Sequence, residues 1–196
     1  MFWFENPNKP YAWDVALGGV LDDSHLELIE KFIADNPGSL GPATIWSDKH
    51  EDAHVRTTDV FFLQDAAHFE NIFANVTAAV HQANNVHFKY SISYLEPLQY
   101  SVYRAEDNGH YNIHVDNSFR NPKGHNRKIS FSVLLNDPSE FDGGELCLHY
   151  TENPMIVSLQ KGQMALFPSY MPHSVQPVTR GIRKSLVGWV CGPNFV

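Results

Sequence analysis

Three side chains have the types and spacing to hold a metal ion. Tyr111-Asn112-Ile113-His114-Val115-Asp116 reads as a β-strand. Residues two apart on a strand point to one side, so His114 and Asp116 converge while Val115 faces away. A neutral imidazole and a carboxylate so placed can occupy adjacent positions on one ion. The third ligand comes from elsewhere, and the best candidate is His173, in Ser169-Tyr170-Met171-Pro172-His173-Ser174-Val175 at the opening of a late strand. Two histidines and a carboxylate on one face of an ion leave the other face open, the ligand set of non-haem Fe(II) oxygenase chemistry. His-x-Asp by itself is weak, because it more often marks a structural His–Asp hydrogen bond.

A second pair strengthens the case. Arg183-Lys184-Ser185-Leu186-Val187-Gly188-Trp189 follows His173 and reads as a strand. Arg183, Ser185, Val187 and Trp189 share one face, and Lys184 and Leu186 the other. The first face offers a guanidinium fork and a hydroxyl to a carboxylate. A guanidinium pointing into a protein interior is costly without an anion. The alternative is a rim arginine in an ordinary salt bridge.

These residues need elements to position them. A capping-box spacing at Ser24-His25-Leu26-Glu27 predicts a helix starting at Ser24, with Leu26, Ile29, Phe32 and Ile33 as its apolar stripe and Asn36-Pro37-Gly38 as its end. Residues 58–63 read as a strand. Asp65 is the expected cap of a second helix, with stripe Phe69, Ile72, Phe73, Val76, Ala79 and Val80. Segments 87–95, 98–104, 111–116, 127–136, 145–150, 155–159, 163–167, 173–178 and 184–191 are short, β-branched or aromatic, and bounded by turns. Many short strands after an early helical layer predict a mainly β protein with flanking helices, a jelly roll or sandwich with helices on one face. In 129–136, Ile129, Phe131, Val133 and Leu135 form a face that can pack under those helices. Ser130, Ser132, Leu134 and Asn136 form the other, expected to be solvent-exposed unless it lines a partly polar cavity.

Composition narrows the classes. The 196 residues are 43% apolar and 18% charged, enough to bury a core. The expectation is one domain over 1–196, with 1–86 as helical support and 87–196 as jelly-roll core. The 14 Lys+Arg against 22 Asp+Glu give a net charge of −8, which disfavours general nucleic-acid binding. No segment is apolar for the roughly 20 residues of a membrane span, and the start lacks a signal-peptide pattern. Cys147 and Cys191 are too few for a disulfide framework or a four-cysteine zinc site, and are expected as buried free thiols. A cytoplasmic location, with no membrane partner, is the expectation from these absences.

Tyr103, His114-Val115-Asp116, Asp142-Gly143-Gly144-Glu145-Leu146, His173 and Arg183-x-Ser185 occur in one order on a strand-rich chain. Together they resemble the 2-oxoglutarate- and Fe(II)-dependent dioxygenases, in the prolyl 4-hydroxylase-like branch, over roughly residues 90–192. The resemblance implies a double-stranded β-helix, a distorted jelly roll, with N-terminal helices packed on one sheet. It implies His114, Asp116 and His173 as iron ligands, and Arg183, Ser185 and Tyr103 as cosubstrate residues, with no catalytic residue beyond these. Trp189 matches an aromatic near the site in some relatives, and Gly143-Gly144 a tight turn. Some relatives carry a second tyrosine where Leu134 lies here.

The implied activity is hydroxylation of a peptidyl proline or similar side chain, with decarboxylation of 2-oxoglutarate to succinate and CO2. Fe(II), 2-oxoglutarate and O2 are the implied cofactors, with ascorbate as an accessory reductant. Tyr111, Asn112, Arg120 and Trp189 are candidate substrate contacts, and Asn117–Asn126 is a candidate flap. His110, His125 and His149 are expected at the surface. Three alternatives stay open: the same chemistry on a small molecule such as a free amino acid, a non-catalytic cupin-like metal- or ligand-binding module, and a zinc hydrolase.

Overall fold

Two-residue alternation divides the longest strands into a face that helices cover and a face that they do not. The computed structural model of this chain describes residues 15–44, 54–117 and 124–194. Trp3, Trp13, Trp46, Arg120 and residues 118–123 of the expected flap lie outside them. The elements are β1 (Val15–Leu17), α1 (Asp23–Asp35), β2 (Gly41–Pro42), β3 (Arg56–Thr57), β4 (Asp59–Leu63), α2 (Glu70–Ala83), β5 (Tyr94–Leu95), β6 (Leu98–Arg104) and β7 (His110–His114). They continue with β8 (His125–Leu134), β9 (Phe141–Gly143), β10 (Leu146–Leu148), β11 (Met155–Val157), β12 (Met164–Pro168), β13 (His173–Val175) and β14 (Val178–Pro193). The larger sheet runs β1-β12-β8-β14-β6-β4-β2, with β5 and β9 also on β14, and the smaller runs β11-β10-β13-β7-β3. This is the expected mainly β jelly roll with helices on one sheet.

The helices cover the outer face of the larger sheet. Leu26 and Ile29 of α1 and Ile72, Val76, Ala79 and Val80 of α2 are buried with Ile129, Phe131, Val133 and Leu135. Leu98, Tyr100 and Val102 of β6 and Leu186 and Val190 of β14 join the same core. Gly188 permits this packing, because a Cβ there would lie 2.3 Å from the Phe131 ring.

Several local expectations change. Asp22, not Ser24, caps α1: its Oδ1 accepts from the backbone N–H of Ser24 and His25, and His25 replaces Glu27 in the reciprocal bond. A carboxylate one residue before the helix outcompetes a hydroxyl inside it. Asp65 caps the turn ahead of α2, accepting from the N–H of Ala67 and His68. Segment 87–95 is not one strand. Asn84–Phe88 continues α2 as a π-helical turn, and only Tyr94–Leu95 pairs. The buried Asn84 amide causes this, exchanging hydrogen bonds with the Tyr90 backbone at 2.9 and 3.0 Å.

The face formed by Ser130, Ser132, Leu134 and Asn136 is buried, not solvent-exposed, because the smaller sheet packs opposite it. The division of 1–86 as helical support is also incomplete: β1 to β4 precede residue 87 and extend both sheets. Cys147 and Cys191 are buried free thiols. No helix among the described residues is long and apolar enough to cross a membrane.

Candidate active site

His114 ends β7 and His173 opens β13, and their Cα atoms are paired across the two antiparallel strands. Strand pairing alone therefore brings the imidazoles together, with ring centroids 4.2 Å apart. Asp116 lies beyond the end of β7. The backbone N–H groups of Asp116 and Asn117 both donate to the Ser169 carbonyl at 3.0 Å, which turns the carboxylate inward. One ligand atom from each of the three residues lies within 4.8 Å of the others. The Nε2 of His114 is 3.6 Å from Asp116 Oδ1, and that of His173 is 3.4 Å from Oδ2.

The protons identify what belongs between them. His114 Nδ1 is 2.8 Å from the Asn112 carbonyl and His173 Nδ1 is 2.9 Å from the Met171 carbonyl. A carbonyl only accepts, so each Nδ1 carries a hydrogen, and a neutral ring held this way turns its Nε2 lone pair inward. Burial, then the neighbouring His173, pushes His114 down to about 4, which keeps its ring neutral near neutral pH. Burial opposes ionisation of Asp116, but His173 and His114, with Ser130 and Trp189 facing it, hold its pKa below the usual range. Two lone pairs and a carboxylate aimed at one point repel unless a cation sits there. The donor set fits a divalent ion with nitrogen and oxygen preference, including Fe(II).

The cluster lines a cavity of about 480 Å³ between the sheets. Arg183, Ser185, Val187 and Trp189 of β14 line it, as their parity requires, with Gln99 and Tyr103 of β6 and Ser132 of β8. Arg183 is only 3% exposed. Its Nη1 donates to Ser185 Oγ at 3.1 Å, its Cζ lies 5.6 Å from the Tyr103 ring centroid, and no described carboxylate pairs with it. Burial lowers its pKa. A buried guanidinium with one hydroxyl partner has the chemistry to receive an anion. Leu134 is buried against Leu146, Leu148 and Phe167, so that wall is apolar.

Tyr111 and Trp189 also line the cavity. The Tyr111 ring stacks on His114 at 3.6 Å. Asn112 is exposed outside the cavity and donates to the His54 carbonyl at 2.7 Å. His110 and His149 lie outside it too, whereas His125 lies on its wall. Arg120 is outside the described residues. Sequence reasoning missed Arg127, which lies over Trp189 at 4.0 Å and donates to both Glu96 oxygens at 2.6 and 3.0 Å. It also missed Arg56, whose Cζ is 4.5 Å from the Tyr111 ring centroid. Gln99 was within reach, being on the parity of Tyr103; the other two carried no sequence signal.

Comparison with known proteins gives a family, a relative and two structural neighbours. The profile of the 2OG-Fe(II) oxygenase superfamily matches residues 98–191. A PKHD-type hydroxylase of Pseudomonas putida is 37% identical over 87 residues, 42% of this chain and 38% of that protein. The match thus spans well under half the length of that relative. In fold, a prolyl hydroxylase from Trichoplax adhaerens, solved with a hypoxia-inducible-factor degradation-domain peptide, has a TM-score of 0.72 at 16% identity, covering 91% of this chain and 83% of that one. A Pseudomonas putida prolyl-4-hydroxylase has a TM-score of 0.69 at 19% identity, covering 93% and 94%.

Proposed function

We propose that this chain is a 2OG-Fe(II) oxygenase of the prolyl 4-hydroxylase-like kind, and that it hydroxylates a peptidyl proline or similar side chain while 2-oxoglutarate is decarboxylated to succinate and CO2. The observation that carries this is the presence, in one cavity, of the His114–Asp116–His173 cluster and the buried Arg183–Ser185 pair.

His114, Asp116 and His173 would hold Fe(II), and the bonds from Nδ1 to the Asn112 and Met171 carbonyls fix both rings with the donor atom inward. Bound there, Fe(II) supplies the chemistry of O2 activation, with 2-oxoglutarate and substrate each giving two electrons. Arg183 binds the distal carboxylate of 2-oxoglutarate through its fork, and Ser185 orients that fork. Tyr103 walls the cosubstrate's end, and Leu134 leaves Arg183 without a second hydroxyl there. Tyr111 and Trp189 are the aromatic walls for substrate. Glu96 holds Arg127 over the indole, which orients Trp189. Ascorbate serves as an accessory reductant, and O2 is the oxidant.

The structural neighbour solved with a peptide supports a peptide substrate over a free amino acid. A zinc hydrolase or a sensing module has no use for a buried Arg183 beside the cluster. The test supplies Fe(II), 2-oxoglutarate and O2 with proline-containing peptides, and measures succinate and peptide mass. The expected result is peptide gaining one oxygen atom in step with succinate. Succinate formed only with free amino acids moves the substrate to small molecules, and peptide cleavage without succinate overturns the oxygenase reading.

A further inference from the structure

Three guanidiniums line the cavity among the described residues: Arg56, Arg127 and Arg183. Two carboxylates do, Glu96 and Asp116. Glu96 is fully engaged by Arg127 through two hydrogen bonds, and Asp116 faces the two histidines. Among the described residues neither Arg183 nor Arg56 forms an ion pair with a carboxylate, and Glu145 acts on Arg183 only from beyond ion-pair distance. Arg183 is on β14 of the larger sheet, and the function proposed above assigns it to the cosubstrate.

Arg56 is on β3, the edge strand of the smaller sheet, directly across from Tyr111 of β7. Its guanidinium lies over the Tyr111 ring, and that ring stacks in turn on His114. Arginine, tyrosine and histidine thus form one continuous stack ending at the metal cluster. Arg56 Nε is buried with no hydrogen-bond partner. A buried donor without a partner is costly, so the guanidinium is incompletely satisfied, and Arg56 lines the cavity into which a planar acceptor can enter.

We propose that Arg56 anchors a carboxylate of the substrate, making the enzyme selective for an acidic group close to the residue it hydroxylates. This rests on the function proposed above. A carboxylate matches a single guanidinium fork, whereas a phosphate carries more charge and draws a cluster of cations. The carboxylate's source is an Asp or Glu side chain beside the target, or a free C-terminus.

The test uses the full chain with Fe(II) and 2-oxoglutarate under argon, and reads equilibrium binding of labelled proline peptides. One arm pairs capped peptides carrying Glu at successive positions around the proline with their Gln counterparts. The other pairs a free C-terminal carboxylate with its amide. At least tenfold tighter binding of the carboxylate member is expected in one arm, and that arm names the source. Arg56→Gln should bring the pair within twofold, Arg56→Lys should keep part of the preference, and Arg56→Glu should favour Lys peptides. Equal binding of every pair by wild type, including no detectable binding, overturns the proposal, as does a preference that survives Arg56→Gln. The visible band of the Fe(II)–2-oxoglutarate complex, recorded in the same samples, separates the two claims. Its absence from wild type removes the metal and cosubstrate reading, while the peptide pairs still decide the role of Arg56. If Arg56→Gln does not fold, Arg56→Glu decides, and a carboxylate preference that survives in it overturns the proposal.

Discussion

At the His114–Asp116–His173 cluster, two backbone carbonyls choose the tautomer of both histidines, and so decide which atoms a cation would meet. The same residue-level logic makes the thiols inert. Burial, then Glu96, pushes Cys191 up to about 11, and its Sγ lies 3.1 Å from Glu96 Oε1. Burial raises Cys147 as well. For both, the charged form is disfavoured in the fold, so thiolate appears only at higher pH. At pH 8, Cys191 is ionised on the order of one part in a thousand, against roughly a quarter for an ordinary thiol. Iodoacetamide should therefore label neither cysteine readily in the native protein at pH 8, and both after denaturation. The Cys191 rate should climb towards about pH 11; rapid stoichiometric labelling at pH 8 contradicts the environment described. His114, Asp116, His173 and Arg183 were legible as residues because type and strand parity select them. Arg127 and Arg56 were not: their partners Glu96 and Tyr111 become neighbours only when the strands fold together.

At the scale of elements, the turn before β10 illustrates how backbone sets chemistry. Gly144 has φ +69, and a Cβ there would sit 2.8 Å from Arg183 Cδ. Gly144→Ala combines left-handed strain, of order 1–3 kcal/mol, with displacement of the guanidinium. It should weaken 2-oxoglutarate binding and leave Fe(II) binding unchanged, as separate titrations of the two ligands will show. Unchanged affinity for 2-oxoglutarate removes either the close approach or the role of Arg183. The Gly-Gly turn, β6 and the core stripe of α2 were visible as patterns. The ends of β7 and α2 were not. Asp116 leaves its strand because Ser169 supplies a carbonyl, and the buried Asn84 draws the chain after α2 into a π-helical turn.

Across the molecule, the larger sheet has an oily outer face under two helices and a polar inner face lining the cavity. Stability belongs to the first and chemistry to the second. Ile72 of α2 is fully buried on the oily side. Ile72→Ala should cost about 2–5 kcal/mol, read as a lower urea midpoint at unchanged slope. The cluster should still bind metal at low urea; lost metal binding in a folded variant would mean the faces are not separable. The fold class was legible because many short strands follow two amphipathic helices. The inner face of β8 was misread because Ser130 and Ser132 are buried by a sheet that pattern alone does not place.

The proposed function depends on one cavity holding Fe(II) on His114, Asp116 and His173 and 2-oxoglutarate on Arg183. The direct measurement strips the protein of metal and adds Fe(II), then 2-oxoglutarate, under anaerobic conditions. The expected result is a visible metal-to-ligand charge-transfer band that is lost in His114→Ala and weakened in Arg183→Ala. Wild-type protein that binds no divalent metal, or binds Fe(II) without a band or measurable 2-oxoglutarate affinity, contradicts it.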